Sequence, residues 1–170
     1  MHLQSLFLGG LALATVSLAA QPQDFTFVDP KGVNHIVFML DAPLEFISGT
    51  GRGVGGTVSF DPANPSATSG TITLSAESLS VPNPTMESHM HGGDWLNISA
   101  NPEVTFAVAS FEPEGEPDTS APDRMRFTGT ARGTLTLMGE SNDVAVPATI
   151  TFVEGGAADR EDGEGDLIVV

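Results

Sequence analysis

The stretch Ser88–Phe106, SHMHGGDWLNISANPEVTF, carries two histidines, the single tryptophan of the chain and the start of an alternating strand. Thr85 to His91 is long enough for about two helical turns, and Gly92-Gly93 can end them. Asn101-Pro102 then forces an extended backbone into the apolar alternation that follows. The stretch therefore predicts a short helix inserted before a β-strand.

Apolar and polar residues alternate on both sides of this stretch, as they do in half-buried strands. The clearest example is 70–76, where Ile72, Leu74 and Ala76 share one face. His35 to Leu40 is largely apolar on both faces, so we expect that strand to be covered on both sides. The whole pattern predicts an all-β fold of about eight hairpin-linked strands, a number that can close into a barrel around one small ligand.

Turn-forming and acidic segments separate these strands. The five glycines between Gly49 and Gly56 predict a tight bend of the sheet rather than a phosphate-binding loop, because no Lys-Ser or Lys-Thr follows them. Gly129 and Gly133 predict bends in a curling sheet. The acidic segments 112–123 and 154–166 are interpreted as solvated loops. The second departs from a calcium-binding EF-hand loop because Gly163 stands where a ligand is needed.

Composition limits the partners of the chain. With 170 residues, no cysteine, 19 glycines and 12 prolines, the chain predicts one turn-rich domain without disulfides or thiolate metal sites. Its 22 acidic residues against 6 basic ones give a formal net charge of −16. This charge argues against a nucleic-acid groove and against an anionic membrane surface as partner.

The N-terminus has the pattern of a secretory signal peptide over residues 1–20. An apolar run, Leu3 to Ala20, closes on small residues before the polar Gln21-Pro22-Gln23, although no lysine or arginine precedes it. The run is close to the minimum length for a membrane-spanning helix. We expect its removal, no stable membrane insertion, and a periplasmic or secreted mature protein.

Candidate catalytic and metal-binding groups are few. Glu87, His89 and His91 carry ligand types that suit Zn²⁺, but histidines two residues apart on a helix point about 200° apart. The chain has no Gly-x-Ser-x-Gly nucleophile motif, and its acids crowd into loops rather than onto strands that could line a cleft. We therefore expect neither an enzyme nor a metal site, and no cofactor.

Over about residues 24–170 the chain resembles the YceI family, also called polyisoprenoid-binding or bacterial lipocalin-like proteins. The resemblance rests on the order and spacing of six stretches, which are 35–40, 55–61 (GGTVSFD), 70–80 (GTITLSAESLS), 86–97, 101–110 (with NPEVTF) and 133–146 (GTLTLMGESNDVAV). It implies an antiparallel, eight-stranded, lipocalin-like β-barrel with a short helical insertion. It also implies a hydrophobic channel that takes an isoprenoid chain.

The chain departs from the family pattern in two places. Ser141-Asn142-Asp143 occupies a turn where members usually have a threonine and a basic residue. The closing strand of the family, with its late Arg-Asp-Phe-Gly-like ending, is not found before Val170. We therefore expect the C-terminal strand of this domain to be truncated.

The expected function is an exported binding protein that holds a polyisoprenoid, an isoprenoid quinone or another long apolar molecule inside the barrel. The alternative is a structural or stress-response module with a filled core and no ligand. The sequence leaves open whether the protein forms a homodimer. The residues expected to contact the ligand are Phe38, Phe46, Phe60, Leu74, His89, Trp95, Phe106 and Phe127.

Overall fold

The structure is a computed structural model that describes residues 21–29, 31–158 and 165–170. The expected signal peptide and most of the charged part of the 154–166 loop lie outside these residues. Antiparallel strands make up most of the described chain, in agreement with the predicted all-β class. The elements are β1 (Gln23–Thr26), β2 (Ile36–Ala42), β3 (Glu45–Gly51), β4 (Val54–Phe60), β5 (Ser69–Ser75), α1 (Pro84–His91), β6 (Glu103–Pro113), β7 (Arg124–Leu137), β8 (Glu140–Val153) and β9 (Leu167–Val169).

Seven of these strands form one antiparallel sheet in the order β1-β4-β5-β6-β7-β8-β9. Its two edges approach each other: Gln23 Nε2 donates a hydrogen bond to Asp166 Oδ2 at 2.8 Å. Phe25 of β1 also packs edge-on against Phe152 of β8, with ring centroids 6.4 Å apart. The sheet is therefore nearly closed, and the predicted antiparallel barrel with a short helical insertion is confirmed. Of the described strands, seven form the barrel sheet, where eight were expected, and two form a separate hairpin.

The strands β2 and β3 form a separate two-stranded hairpin. A single bridge between Thr50 and Ser80 joins it to the chain beyond β5, through backbone hydrogen bonds of 2.9 and 2.8 Å. Val37 and Met39 are 63% and 71% exposed, so the expectation that this strand is covered on both faces is wrong. The hairpin leaves the main sheet, and only its other face packs against the protein.

The dense core lies at one end of the barrel. Phe60 and Phe111 are essentially inaccessible to solvent, and the Phe60 ring meets Phe127 edge-on with centroids 5.5 Å apart. The buried cluster consists of five phenylalanine rings, including Phe25, and Ile150. Aromatic pairs of this geometry contribute about 0.5–1.5 kcal/mol each beyond the area they bury, so these contacts stabilise this end of the barrel.

Capping residues set both ends of the helix α1. The Asn83 side chain accepts hydrogen bonds from the backbone N–H groups of Thr85 and Met86, at 2.9 and 3.1 Å, and therefore caps the first turn. Pro84 is the first helical residue, and Gly92 follows the last. The predicted helix is confirmed and begins one residue earlier. Within the described ranges, no helix is long and apolar enough to cross a bilayer.

Candidate ligand-binding site

One face of the barrel sheet carries a row of side chains along β7 and β8 that is apolar and buried at one end and more exposed at the other, where β8 contributes polar residues. Phe127 and Ile150 are paired across the two strands, and both are buried. Side chains two residues apart share a face of a strand, so Leu137 and Val146 lie on this face as well. Each of these two is 39% exposed. The face is filled at the Phe127 end and open at the Leu137 end.

The same face continues across β6 and β5. Phe106 pairs with Leu135 of β7 on one side and with Ile72 of β5 on the other. The Phe106 ring lies over Gly133, where a β-carbon would come within 2.8 Å of Cε2. These side chains are half-buried. The open half of the barrel thus presents hydrocarbon on adjacent strands.

A cleft of about 380 Å³ opens between the β2–β3 hairpin and α1. Apolar and polar residues both line this cleft. The lining residues are Glu45, Phe46, Ile47, Ser48, Val81, Pro82, Asn83 and Met86. Phe46 is 67% exposed, so its ring faces solvent rather than a packed core. The volume falls at the small end of the range typical of ligand pockets, about 300–1,000 Å³.

The segment Leu79–Val81 connects this cleft to the inner face of the barrel. A β-carbon at Gly51 of the hairpin would lie 3.0 Å from Leu79 Cδ2 and 3.3 Å from Leu74 Cδ1. Leu79, β5 and the hairpin therefore converge at Gly51, where an added side chain would be crowded. Val81, two residues after Leu79, is buried and lines the cleft. Cleft and inner face are neighbours.

Polar contacts hold α1 against this segment. The Glu87 carboxylate accepts hydrogen bonds from Ser80 Oγ at 2.6 Å and from the Val81 backbone N–H at 3.2 Å. The hydrogen bond from Ser80, followed by that from Val81, lowers the pKa of Glu87. His91 Nε2 lies 2.7 Å from the carbonyl oxygen of Leu79 and donates to it. Glu87 and His91 are therefore used in anchoring the helix.

His89, the remaining member of the metal-ligand candidates, lies on the exposed side of α1. In the part of the chain that the structure describes, no group of three or more His, Asp or Glu side chains is placed to hold a metal ion. The helix presents its two histidines in different directions, as the periodicity of a helix requires.

Trp95 lies in the turns after α1 and is 59% exposed. Asn101 Nδ2 donates to the Leu96 carbonyl oxygen at 3.3 Å, and a β-carbon at Gly139 would lie 3.1 Å from Asn101 Oδ1. Asn101 therefore connects the tryptophan segment to the turn between β7 and β8, where Met138 is 44% exposed. Trp95 belongs to the open end of the barrel.

The eight residues expected to contact a ligand fall into four pairs. Phe60 and Phe127 touch each other in the buried core, while Leu74 and Phe106 lie on the inner face of the open half. Phe38 and Phe46 belong to the hairpin. The Phe38 ring covers Gly49, and Phe46 lines the cleft. His89 and Trp95 lie on α1 and on the turns after it.

Sequence reasoning did not single out the half-exposed inner residues Leu137 and Val146 or the cleft residue Met86. Alternation identified the first two as members of strands, and helical spacing placed Met86 on one face with Met90. Periodicity states which residues share a face. It does not state which end of that face is filled by side chains. Val146 and Ile150 share a face, but only Ile150 is buried.

Comparison with known proteins adds the family. Residues 28–167 match the YceI-like domain. The chain belongs to this family. Among curated YceI-family relatives, it is 28% identical over 146 residues to the UPF0312 protein of Ectopseudomonas mendocina (strain ymp), covering 86% of this chain and 68% of the relative. It is 26% identical over 145 residues to Protein YceI of Salmonella newport (strain SL254), covering 85% and 66%. The chain spans about two thirds of the length of these relatives.

A solved structure supports the fold of this YceI-like domain. The crystal structure of Burkholderia cenocepacia BcnA superposes with a TM-score of 0.52 at 20% sequence identity, covering 70% of this chain and 73% of that one. At this identity the match establishes the fold alone. Family and barrel fold together suggest a binding protein rather than an enzyme.

Proposed function

We propose that this YceI-like domain binds a long apolar molecule, such as a polyisoprenoid or an isoprenoid quinone, along the inner face of the open half of its barrel. The observation that carries the proposal is the exposure of Leu137 and Val146 on the same face that buries Phe127 and Ile150. An apolar face left open beside a mouth lined by Phe46 and Met86 is suited to hydrocarbon.

The energetics permit such a complex. Each buried CH₂ group contributes about 0.8 kcal/mol. Ten buried carbons would contribute roughly 8 kcal/mol before the cost of ordering the chain, which corresponds to about micromolar affinity. The cleft of about 380 Å³ accommodates only part of a long isoprenoid, so the inner face supplies the remaining contacts.

The direct test is a titration of the full chain with an isoprenoid quinone and with a saturated alkane of similar length. Trp95, the single tryptophan, reports on the open end. We expect a saturable change in its emission and a rise in the unfolding temperature, because a ligand that binds only the native state stabilises it. If emission and unfolding temperature both stay unchanged in well-folded protein, the proposal is wrong.

A matched pair of substitutions in β8 locates the site. Val146→Glu places a charge on the apolar inner face and is expected to weaken binding at least about tenfold, the equivalent of about 1.4 kcal/mol. Thr149→Glu places the same charge on the exposed opposite face of the same strand and is expected to leave affinity unchanged. Equal affinities of the two variants would contradict binding along this face.

A second candidate function is a structural or stress-response module that binds no ligand. Its support is the dense packing of Phe60 and Phe111, which shows that one end of the barrel is already filled by side chains. One measurement, the uptake of an apolar dye, distinguishes the two functions. The ligand-free module predicts no uptake of an environment-sensitive apolar dye, whereas the binding protein predicts saturable uptake at a one-to-one ratio.

We also propose export to the periplasm or the medium, on the strength of the apolar run Leu3 to Ala20 and the small residues that end it. The expected mature N-terminus is near Gln21. Sequencing the N-terminus of protein made from the full-length gene tests this, and retention of Met1 in the mature protein would contradict it. Export would place the apolar site beside membranes that contain isoprenoid lipids.

A further inference from the structure

The inner face of β8 changes from apolar to polar toward the open end of the barrel. Alternate residues of a strand share a face. From the buried end, the residues that β8 contributes to the inner face are Phe152, Ile150, Ala148, Val146, Val144, Asn142 and Glu140. The first five are apolar, and the last two carry an amide and a carboxylate. A hydrocarbon chain laid along this face would therefore end beside hydrogen-bonding groups.

Asn142 and Glu140 face the interior because of their pairing with β7. Asn142 lies opposite Leu135, and Glu140 lies opposite Leu137. Directly opposed residues of an antiparallel pair project from the same face. Leu135 in turn pairs with Phe106 of β6. The two polar residues thus border the apolar surface that the ligand is proposed to occupy.

The side chains of Asn142 and Glu140 have unused hydrogen-bonding capacity. Among the described residues, neither side chain has a hydrogen-bond or ion-pair partner. The outer face of the same strand differs. There, Asp143 accepts a hydrogen bond from Thr134 Oγ1 at 2.9 Å, and Ser141 Oγ lies 2.8 Å from Thr136 Oγ1. The outer polar groups satisfy one another across strands, whereas the inner amide and carboxylate are available to a ligand.

Within the described strands of the barrel sheet, no lysine or arginine lies on the inner face. The three arginines of β7 alternate with buried Phe127 and therefore project from the outer face. The other two basic residues that the structure describes, Lys31 and Arg52, lie in connections outside these strands. An anionic group at this end of the inner face would meet the Glu140 carboxylate without a cation from the same face, and like charges repel.

We propose that the ligand of this domain is an isoprenoid alcohol, held with its hydrocarbon chain toward Phe127 and its hydroxyl group at Asn142 and Glu140. This inference rests on the binding function proposed above and specifies the end group of the ligand. The hydroxyl donates to the Glu140 carboxylate and accepts from the Asn142 amide. The phosphate ester of the same alcohol would bring negative charge to Glu140 and should bind more weakly.

Three probes with the same hydrocarbon chain separate the effect of the end group from that of the chain. They are geranylgeraniol, its methyl ether and geranylgeranyl monophosphate. Each is titrated into the full chain, and Trp95 emission is followed. We expect the alcohol to bind at least about fivefold more tightly than either of the others, because only its end group donates a hydrogen bond to the carboxylate without adding negative charge.

Two substitutions in β8 form a matched pair. Glu140→Lys and Asp143→Lys change the net charge equally, but Glu140 lies on the inner face and Asp143 on the outer face. Glu140→Lys should reverse the preference, so that the monophosphate binds at least about fivefold more tightly than the alcohol. Asp143→Lys should keep the preference of the unmodified protein. Thermal unfolding establishes that both variants are folded.

A milder pair, Glu140→Gln and Asp143→Asn, removes each charge with little change of shape. Glu140→Gln should reduce the preference for the alcohol over the monophosphate, and Asp143→Asn should not. This pair gives the same comparison if either lysine variant fails to fold.

Equal affinities for the alcohol and the monophosphate in the unmodified protein, or tighter binding of the monophosphate, would overturn the inference. A preference that responds equally to substitution of Glu140 and of Asp143 would overturn it as well. These outcomes leave the proposed binding function intact, because the hydrocarbon chain still binds. Absence of binding by all three probes would contradict the proposed function and the inference together.

Discussion

At the scale of single residues, two glycines of β7 make room for aromatic rings. A β-carbon at Gly129 would lie 2.8 Å from Cζ of Phe111 and would overlap the carbonyl oxygen of Glu112. Gly133 accommodates Phe106 in the same way. Neither glycine has a positive φ, so the requirement at these positions is the close approach of the β6 backbone and of an aromatic ring. The sequence predicted bends at these two glycines, whereas the pairing of β7 with β8 runs through both without a shift in register.

Gly129→Ala is therefore expected to destabilise the protein by about 1–3 kcal/mol, the usual cost of overpacking a core. The comparison is Gly93→Ala, where a β-carbon would meet nothing within 4 Å and φ is not positive. Denaturant unfolding of both variants measures the difference. Equal stabilities would show that the Phe111 ring and the neighbouring β6 backbone shift without cost.

At the scale of elements, α1 depends on polar contacts because it buries no residue. A helix of this length is marginal on its own in water. The Asn83 cap, the Glu87 carboxylate and the contact from His91 to the Leu79 carbonyl supply its attachment. The helix also forms one wall of the cleft through Met86. Anything that loosens α1 should therefore loosen the mouth of the proposed site.

Acid is expected to release α1. The hydrogen bonds from Ser80 and Val81 lower the pKa of Glu87, so their stabilisation is complete above the pKa of an unfolded glutamate, about 4.3. It is lost as pH falls below that value through the pKa of the folded state. The protection of the 85–91 amides against hydrogen exchange should fall over this interval.

The Glu87→Gln variant should show fast exchange in the 85–91 amides already at neutral pH, because it removes the ionised acceptor. Glu77→Gln changes an exposed glutamate outside the helix and serves as the control. Exchange of the same amides that is identical in the two variants at neutral pH would rule out Glu87 as the anchor.

At the scale of the whole molecule, the formal net charge is −16, so the acidic side chains of the described loops repel one another. Only two ion pairs, Arg124–Asp123 and Arg132–Glu112, occur within the described residues. Both are exposed, and exposed pairs contribute little to stability. Repulsion among the remaining acids therefore opposes the folded state at low ionic strength.

Added salt is thus expected to raise the unfolding temperature between about 0.01 M and about 0.5 M, as the screening length falls from about 30 Å to a few ångströms. A Glu114→Gln/Glu116→Gln variant, altered in an exposed loop, should start higher and respond less. Differential scanning calorimetry in sodium chloride measures both. An unfolding temperature that falls with salt would show that attractive pairs dominate instead.

The strands, the inserted helix and most of the loop after β6 follow from the sequence alone, since each rests on local rules. Alternation with a period of two predicted the faces of β5 to β8, and Gly92 predicted the end of α1. The family was also visible in the order of its stretches, and residues 28–167 match it. Local chemistry and pattern were sufficient for these features.

Which apolar faces are buried depends on the tertiary structure. The pattern of β2 is that of a strand covered on both sides, yet the hairpin stands apart and exposes Val37 and Met39. Ile150 and Val146 obey one alternation, but the first is buried among phenylalanines and the second faces an open half-barrel. Burial depends on which residues distant in sequence arrive on the same face, and periodicity along one strand carries no information about that.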